Sequence, residues 1–197
     1  MIKTFAKILC LILLCSSSLC SVGFGSCKVN PAPEVVQNFN VKEYMGKWYE
    51  QFRDVNVPFQ KGECTTAEYS IRDDGKVNVI NSEYISEADQ RKVANGRAVC
   101  PTSEAKCKVS FGKESSFISK FTEGNYWVYE TDYNNYSIIY SCSEFLGVYH
   151  FEFVWALTRE AVPSKETLEK VKSALKKLNY PEEEIRRQTI QGKECVY

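Results

Sequence analysis

The sequence predicts an all-β domain followed by one α-helix near its C-terminus. From Gly46 to Thr158, short runs of alternating apolar and polar residues are separated by turn residues, which is typical of antiparallel strands. Beyond this region the apolar residues recur with a helical period. The chain also contains 12 Tyr and 11 Phe, which suit the half-buried surface of a sheet. Its 197 residues are enough for one domain with a substantial core.

About eight strands can be read in order along this region. The clearest hairpin joins residues 64–71 to residues 77–85 through a turn that contains Asp74 and Gly75. The other candidates are the stretch around Met45–Phe52 and residues 92–99, 107–112, 125–132, 136–142 and 149–158. Consecutive antiparallel strands in this number either stack as a sandwich or close as a barrel.

The helix is predicted over Lys165–Leu178, with Ser164 placed to cap its N-terminus. One face is an apolar stripe that consists of Leu168, Val171, Ala174, Leu175 and Leu178. The opposite face carries Lys and Glu in mixture. This pattern favours a solvated helix that packs on a core rather than one that binds a membrane.

The N-terminal residues are typical of a secretory signal peptide. Lys3 and Lys7 precede a short apolar run, Ile8–Cys15, and small residues follow it. The run is too short to span a bilayer. We predict a signal peptide over residues 1–23, with its end between residues 20 and 26, and a mature domain over residues 27–197 in a secreted, extracellular protein.

The composition argues against several classes of function. Lys plus Arg and Asp plus Glu number 25 each, so the chain lacks the basic excess of nucleic-acid-binding proteins. His150 is the one histidine, which leaves no Ser/His/Asp or Cys/His set and a poor basis for a metal site. At the start of a strand, His150 is expected to be structural. We therefore expect no enzyme, no cofactor and no bound metal.

Cysteine usage supports export. Three of the nine cysteines fall in the predicted signal peptide, and the six that remain are Cys27, Cys64, Cys100, Cys107, Cys142 and Cys195. An even number in an exported chain predicts disulfides, although six cysteines allow about 15 connectivities. Their spacing does not resemble paired zinc knuckles.

Three short motifs, in order and at workable spacings, carry a resemblance to a known family. They are Gly46-Lys47-Trp48 at the first strand, Thr131-Asp132-Tyr133 between the sixth and seventh strands, and Arg159 at the end of "WALTR". The chain resembles the lipocalin family, in particular its apolipoprotein D-like, bilin-binding and bacterial branch. The resemblance implies an eight-stranded antiparallel up-and-down barrel with the C-terminal α-helix packed on the outside.

The resemblance also implies roles for several of these residues. Trp48 is expected to plug the closed end of the barrel with Arg159 over its ring, while Gly46 avoids a Cβ clash. Disulfides Cys27–Cys142 and Cys64–Cys195 are implied in the same way. Cys100 and Cys107 depart from the family pattern, and pairing them would close a small loop.

A lipocalin barrel implies a small hydrophobic ligand, such as a fatty acid, sterol or bilin, bound inside it. Strand alternation then suggests the lining. We expect Trp127 and Tyr129 to point inward, and Phe153 to share the face of Arg159. Phe52, Tyr84 and Tyr140 are further candidates for contact with the ligand.

Two other functions stay open on the sequence. A secreted protein-interaction module would act through the open-end loops, and a thiol-dependent isomerase would need Cys100 or Cys107 reduced and inward. Contact with a membrane surface or a receptor is also open, as is the oligomeric state. Asn135-Tyr136-Ser137 is a glycosylation sequon in a turn, which predicts a glycan on Asn135.

Overall fold

A computed structural model describes residues 22–101, 103–112, 123–181 and 187–197. The strands are β1 (Val22–Phe24), β2 (Gly46–Arg53), β3 (Glu63–Ile71), β4 (Val77–Ile85), β5 (Gln90–Val99), β6 (Lys106–Phe111), β7 (Gly124–Thr131), β8 (Tyr136–Phe145), β9 (Tyr149–Thr158) and β10 (Arg187–Gln188), and the helices are α1 (Val41–Tyr44) and α2 (Lys165–Leu178). Neighbouring strands from β2 to β9 pair antiparallel, and β9 also pairs with β2. The sheet is thereby closed into an eight-stranded barrel.

The predicted up-and-down barrel with an outer C-terminal helix is confirmed. Two short strands were not predicted: β1 pairs with the start of β9, and β10 pairs with the end of β2. They contain three and two residues, too few to show alternation in the sequence. Most of the predicted signal peptide, residues 1–21, lies outside the described residues.

Helix α2 begins and packs as its sequence predicts. The Ser164 hydroxyl accepts a hydrogen bond from the Thr167 backbone N–H at 3.1 Å, which caps the first turn. The buried face of α2 forms one apolar cluster with the outer faces of β8 and β9. The cluster includes Tyr136, Ile138, Tyr140, Val154, Ala156, Val171, Ala174, Leu175 and Leu178. These two strands are therefore buried on both faces, inside the barrel and beneath the helix.

The closed end of the barrel is built around Trp48, whose side chain is fully buried. The guanidinium carbon of Arg159 lies 3.7 Å from the centroid of the Trp48 ring. The same guanidinium donates hydrogen bonds to three backbone carbonyls, those of Glu43, Lys47 and Tyr133, at 2.9, 3.2 and 2.9 Å. Arg159 thus joins α1, β2 and the β7–β8 turn through one planar group.

Gly46 is required at the start of β2 for two reasons. Its φ of +96° lies in a region that residues with a side chain rarely adopt. A Cβ atom at this position would also lie only 3.3 Å from Nη1 of Arg159. Gly46 therefore allows both the backbone path and the close approach of the guanidinium.

The Thr131-Asp132-Tyr133 motif organises the turn between β7 and β8. The Asp132 carboxylate accepts hydrogen bonds from the backbone N–H groups of Asn135 and Tyr136 at 2.8 and 3.0 Å, and from the Asn135 side chain. Burial alone would raise the pKa of Asp132, but these hydrogen bonds outweigh it and hold the pKa below its usual value. The motif is thus a turn that its own side chains stabilise.

The C-terminal segment completes the barrel wall. Strands β2 and β3 pair from Gly46 only as far as Tyr49, and the end of β2 pairs with β10 instead. The segment after β10 hydrogen-bonds on both sides of the gap. The Ile190 carbonyl accepts from the Cys64 N–H at 2.9 Å, and the Thr189 N–H donates to the Gln51 carbonyl at 3.0 Å. This segment therefore replaces the missing ladder between the two strands.

Three disulfides join the pairs Cys27–Cys142, Cys64–Cys195 and Cys100–Cys107. The first two are the pairs that the family resemblance implies, and the third closes the small loop. The Cys64–Cys195 bond spans 131 residues and fixes the C-terminal segment to β3. In the loop-entropy account, a closed loop of this length stabilises the fold by about 5 kcal/mol. The short Cys100–Cys107 loop contributes about half of that.

Replacing Trp48 tests the role of the closed end. We expect Trp48→Ala to lower the free energy of unfolding by about 3–5 kcal/mol, because it empties a buried site and leaves Arg159 without its aromatic partner. Urea unfolding measures the loss, with Trp127→Ala for comparison, because Trp127 is only partly buried and its removal should cost less. An unchanged melting temperature combined with altered ligand preference would contradict the structural role.

Candidate ligand-binding cavity

The barrel encloses a cavity of about 120 Å³ that extends from the closed end to the loop between β2 and β3. Its walls are mainly apolar, as ligand sites usually are. The apolar lining includes Phe39, Val41, Met45, Phe59, Ala67, Val77, Val79, Ala98, Val109, Phe111, Ile139, Trp155 and Leu157. An apolar cavity of about 150 Å³ in another protein takes up benzene, so this cavity is close to the size that a molecule like benzene occupies. A larger ligand requires lining side chains, such as the exposed Phe59 at the mouth, to move.

Three tyrosines form the polar part of the cavity near its closed end. The Tyr126 hydroxyl lies 2.9 Å from the Tyr44 hydroxyl and 2.9 Å from the Tyr69 hydroxyl. Tyr44 also lies 2.9 Å from Oγ of Ser137. Burial raises the pKa of Tyr44 to about 12, and it raises the pKa values of Tyr69 and Tyr126 as well. The four groups are therefore a neutral hydrogen-bonded chain at neutral pH.

Gln60 closes the mouth side of the cavity. Its carbonyl oxygen accepts a hydrogen bond from the Trp155 indole N–H at 3.1 Å, and its amide donates to the Glu50 carboxylate at 2.5 Å. Phe59, beside it, is 57% exposed yet also lines the cavity. This loop therefore meets both solvent and the interior of the barrel.

A buried ion pair lies behind Gln60. Nη1 of Arg53 is 2.6 Å from Oε1 of Glu50, and both side chains are 1% exposed. Thr189 donates a further hydrogen bond to Glu50 at 2.5 Å. Burial raises the pKa of Glu50 despite the opposing charge of Arg53 and these hydrogen bonds. Glu50 thus connects the mouth, through Gln60, with the C-terminal segment, through Thr189.

Cys100 and Cys107 both line the cavity and are bonded to each other. The isomerase alternative requires a free thiol at this wall, since the thiolate is the reactive form of cysteine. With the disulfide in place, these two residues offer sulfur atoms for packing rather than a nucleophile.

No helix in the described ranges is both long and apolar enough to cross a membrane. Among the same residues, no three His, Cys, Asp or Glu side chains come together in a group that could hold a metal ion.

Comparison with known proteins decides the family. The sequence profile of the lipocalin-like domain matches residues 39–189. The chain belongs to the lipocalin family. The family expected from the three motifs is therefore confirmed.

This lipocalin has relatives in animals and bacteria. Mouse apolipoprotein D is 35% identical over 146 residues, which cover 74% of each chain. The outer membrane lipoprotein Blc of Vibrio cholerae is 34% identical over 156 residues, covering 77% of this chain and 84% of that protein. Insecticyanin from the tobacco hornworm Manduca sexta shares the fold, with a TM-score of 0.71 at 24% identity over 89% of this chain and 92% of its own.

The inward face of β7 differs from the one expected for this lipocalin. Tyr126 lines the cavity and Val128 belongs to the barrel core, whereas Trp127 and Tyr129 pack against the outer cluster beneath α2. The expected inward orientation of Trp127 and Tyr129 was wrong. Both faces of β7 carry aromatic or apolar residues, because the barrel core covers one face and the outer cluster partly covers the other. Strand alternation therefore does not show which face points inward.

Three other candidate ligand contacts also lie outside the cavity. Phe52 follows a β-bulge in β2 and packs against the outer cluster, where Tyr140 is buried and donates to Glu152. The Tyr84 hydroxyl turns outward to Asp89. These orientations correct the lining expected from the sequence.

Phe153 comes nearest to its expected place. Its ring centroid lies 6.0 Å from that of Phe59 and 5.8 Å from that of Trp155, and both of these side chains line the cavity. Phe153 therefore packs against two lining residues without lining the cavity itself. His150, expected to be structural, is buried with Nδ1 3.1 Å from the Gly25 carbonyl oxygen.

Sequence reasoning missed the tyrosine chain, although one signal could have found Tyr69. Trp48 pairs with Ala67 across β2 and β3, so residues two apart from Ala67 share its inward face. Tyr69 is such a residue. Tyr44 precedes the barrel, and its position depends on α1, which alternation cannot place.

The pKa of Tyr44 leads to a prediction about alkaline stability. The unfolded chain loses this proton near pH 10, whereas the folded protein keeps it up to about pH 12. Over that interval the folded state binds more protons, so its free energy of unfolding falls as pH rises. Urea unfolding of the wild type at pH 9, 10 and 11 should show this fall, and Tyr44→Phe should reduce it by up to about 1.4 kcal/mol per pH unit. An identical slope in the variant would contradict the assignment.

Proposed function

We propose that the protein is a secreted carrier that binds one small hydrophobic ligand inside its barrel. The observation that carries this proposal is the enclosed apolar cavity with a few polar groups at its two ends. Burial of an apolar ligand there releases water from apolar surface on both partners. The protein acts by binding, without a chemical step on the ligand.

Membership of the lipocalin family and likeness to insecticyanin and apolipoprotein D support the carrier role. The name of apolipoprotein D associates that relative with lipids, and we extend this to a lipid or similar apolar ligand here. A fatty acid, a sterol and a bilin are the classes to be tested first.

Export is proposed on two grounds. Residues 1–23 have the composition of a signal peptide, and three disulfides are typical of proteins in oxidising compartments. The site of cleavage has a structural consequence. Cleavage after Cys20 keeps strand β1, whereas cleavage after Gly25 removes it from β9.

A glycan on Asn135 is proposed with secretion. Asn135 is exposed in the β7–β8 turn, and its amide contacts Asp132 at 2.8 Å rather than the core. The turn therefore leaves space for a sugar on the solvent side.

Mass spectrometry of the protein secreted from eukaryotic cells tests these proposals together. We expect an N-terminus between residues 21 and 27, a mass decrease on enzymatic deglycosylation that Asn135→Gln abolishes, and one bound apolar molecule per chain in the native spectrum. An empty barrel in this spectrum that also ignores added fatty acid, sterol and bilin would contradict the carrier role. It would favour interaction with a protein through the loops.

Fluorescence locates the bound ligand. Trp155 lines the cavity, whereas Trp127 lies outside it and packs near Tyr140. A ligand that quenches tryptophan fluorescence only on contact should therefore quench Trp155 preferentially. We expect Trp155→Phe to remove most of the quenching and the matched variant Trp127→Phe to retain it. The reverse result would place the ligand on the outer surface.

A further inference from the structure

The hydroxyl chain at the closed end of the cavity contains one more donor than its bonds use. The chain runs in the order Ser137, Tyr44, Tyr126 and Tyr69, and neighbouring hydroxyl oxygens are 2.9 Å apart. Each hydroxyl has one hydrogen to donate, so three bonds use three of the four hydrogens. A chain whose bonds all run in one direction is favoured, because successive hydrogen bonds polarise one another, and this places the fourth hydrogen at one end, on Ser137 or on Tyr69.

Burial decides between the two ends. Ser137 is fully buried and does not line the cavity. A spare donor there would be desolvated without an acceptor, which is unfavourable. Tyr69 lines the cavity, where a ligand can accept its hydrogen. The favoured direction is therefore from Ser137 through Tyr44 and Tyr126 to Tyr69, with the spare hydrogen on Tyr69.

Asn81 adds an unused polar group one layer nearer the mouth. Its Oδ1 atom is buried and has no hydrogen-bond partner within the described part of the chain. Tyr69 pairs directly with Val79, and Asn81 lies two residues further along β4 on the same inward face. Both Asn81 and Tyr69 line the cavity. The wall formed by β3 and β4 thus carries the Tyr69 hydroxyl, a spare donor, near the closed end. Nearer the mouth it carries the Asn81 amide, whose oxygen is unpaired.

The charges of the lining residues also indicate whether the ligand's oxygen group is charged or neutral. Among the described residues that line the cavity there is no Lys or Arg. Arg159 lies behind the tyrosines, but its guanidinium already stacks on Trp48 and bonds three carbonyls. A bound carboxylate would therefore give up its hydration and gain a single hydrogen bond from a tyrosine. A neutral oxygen group gives up much less hydration free energy on entering the cavity.

We propose that the cavity selects apolar ligands with a neutral oxygen group, a ketone, aldehyde or alcohol, and holds that oxygen against Tyr69. The ligand enters with this group first, and its apolar body lies between Val79, Val109 and Leu157. An alcohol can also donate to Asn81. This inference rests on the proposed carrier function and adds the chemistry that the carrier recognises.

Isothermal titration calorimetry with three probes of similar shape tests the inference. The probes are naphthalene, its methyl ketone 2-acetylnaphthalene and its carboxylate 2-naphthoate, added to the full disulfide-bonded protein at pH 7.5. We expect the ketone to bind more tightly than both others. Tyr69→Phe should weaken ketone binding about three- to tenfold, the range of one net hydrogen bond, and leave naphthalene unchanged.

Two variants complete the design. Tyr84→Phe is the matched control, since the Tyr84 hydroxyl bonds outward to Asp89 and should not affect any probe. Tyr69→Phe makes Tyr126 the end of the chain, so any preference for the ketone that this variant retains should fall further in Tyr69→Phe/Tyr126→Phe. The carbonyl infrared band of bound ¹³C-labelled ketone gives an independent readout. It should shift to lower frequency in the wild type and move back in Tyr69→Phe.

The outcomes separate this inference from the carrier proposal. If no probe binds the wild type, the inference is overturned, while the carrier proposal still depends on the binding of fatty acid, sterol and bilin. If naphthalene binds as tightly as the ketone and Tyr69→Phe changes neither, the carrier proposal stands and the role of Tyr69 is wrong. Tightest binding of 2-naphthoate would also overturn the inference, because it would mean that the cavity is an anion site.

Discussion

The stack of Arg159 on Trp48 is the interaction on which the rest of the barrel depends. It lies where the first and last barrel strands meet, so it joins the two ends of the sheet that must close. A cation–π contact of this kind contributes about 0.5–2 kcal/mol, while the three carbonyls that Arg159 binds add directional restraint. With this end fixed, the cavity has a floor, and the tyrosines above it have a fixed orientation.

The geometry of the individual strands explains which side-chain orientations could be predicted from the sequence and which could not. Trp48 and Arg159 were placed correctly because motif spacing identifies the strands that carry them. The inward face of β7 was not, because Trp127 and Tyr129 on its outer side pack against the cluster beneath α2, so aromatic residues occur on both faces. Phe52 was misplaced for another reason: a β-bulge between Glu50 and Phe52 shifts the alternation, and nothing in the local residue types marks it.

The buried ion pair in the barrel wall also depends on contacts from distant parts of the chain. Glu50 and Arg53 would be costly inside a barrel without additional hydrogen bonds. Gln60 from the mouth loop and Thr189 from the C-terminal segment supply them to the same carboxylate. The mouth of the cavity and the closure of its wall are thus connected through Glu50, although they lie far apart in the sequence.

The position of residues 187–195 in the barrel wall has a consequence for biosynthesis. A polypeptide emerges from the ribosome in the order of its sequence, so the gap between β2 and β3 stays unfilled until residues 187–195 have followed both strands. Gln191 donates to the carbonyls of Glu50 and Thr65 across that gap, and Cys195 completes the disulfide with Cys64. The barrel therefore reaches its final closed form only after residues 187–195 have been synthesised, and until then the facing edges of β2 and β3 stay partly unpaired.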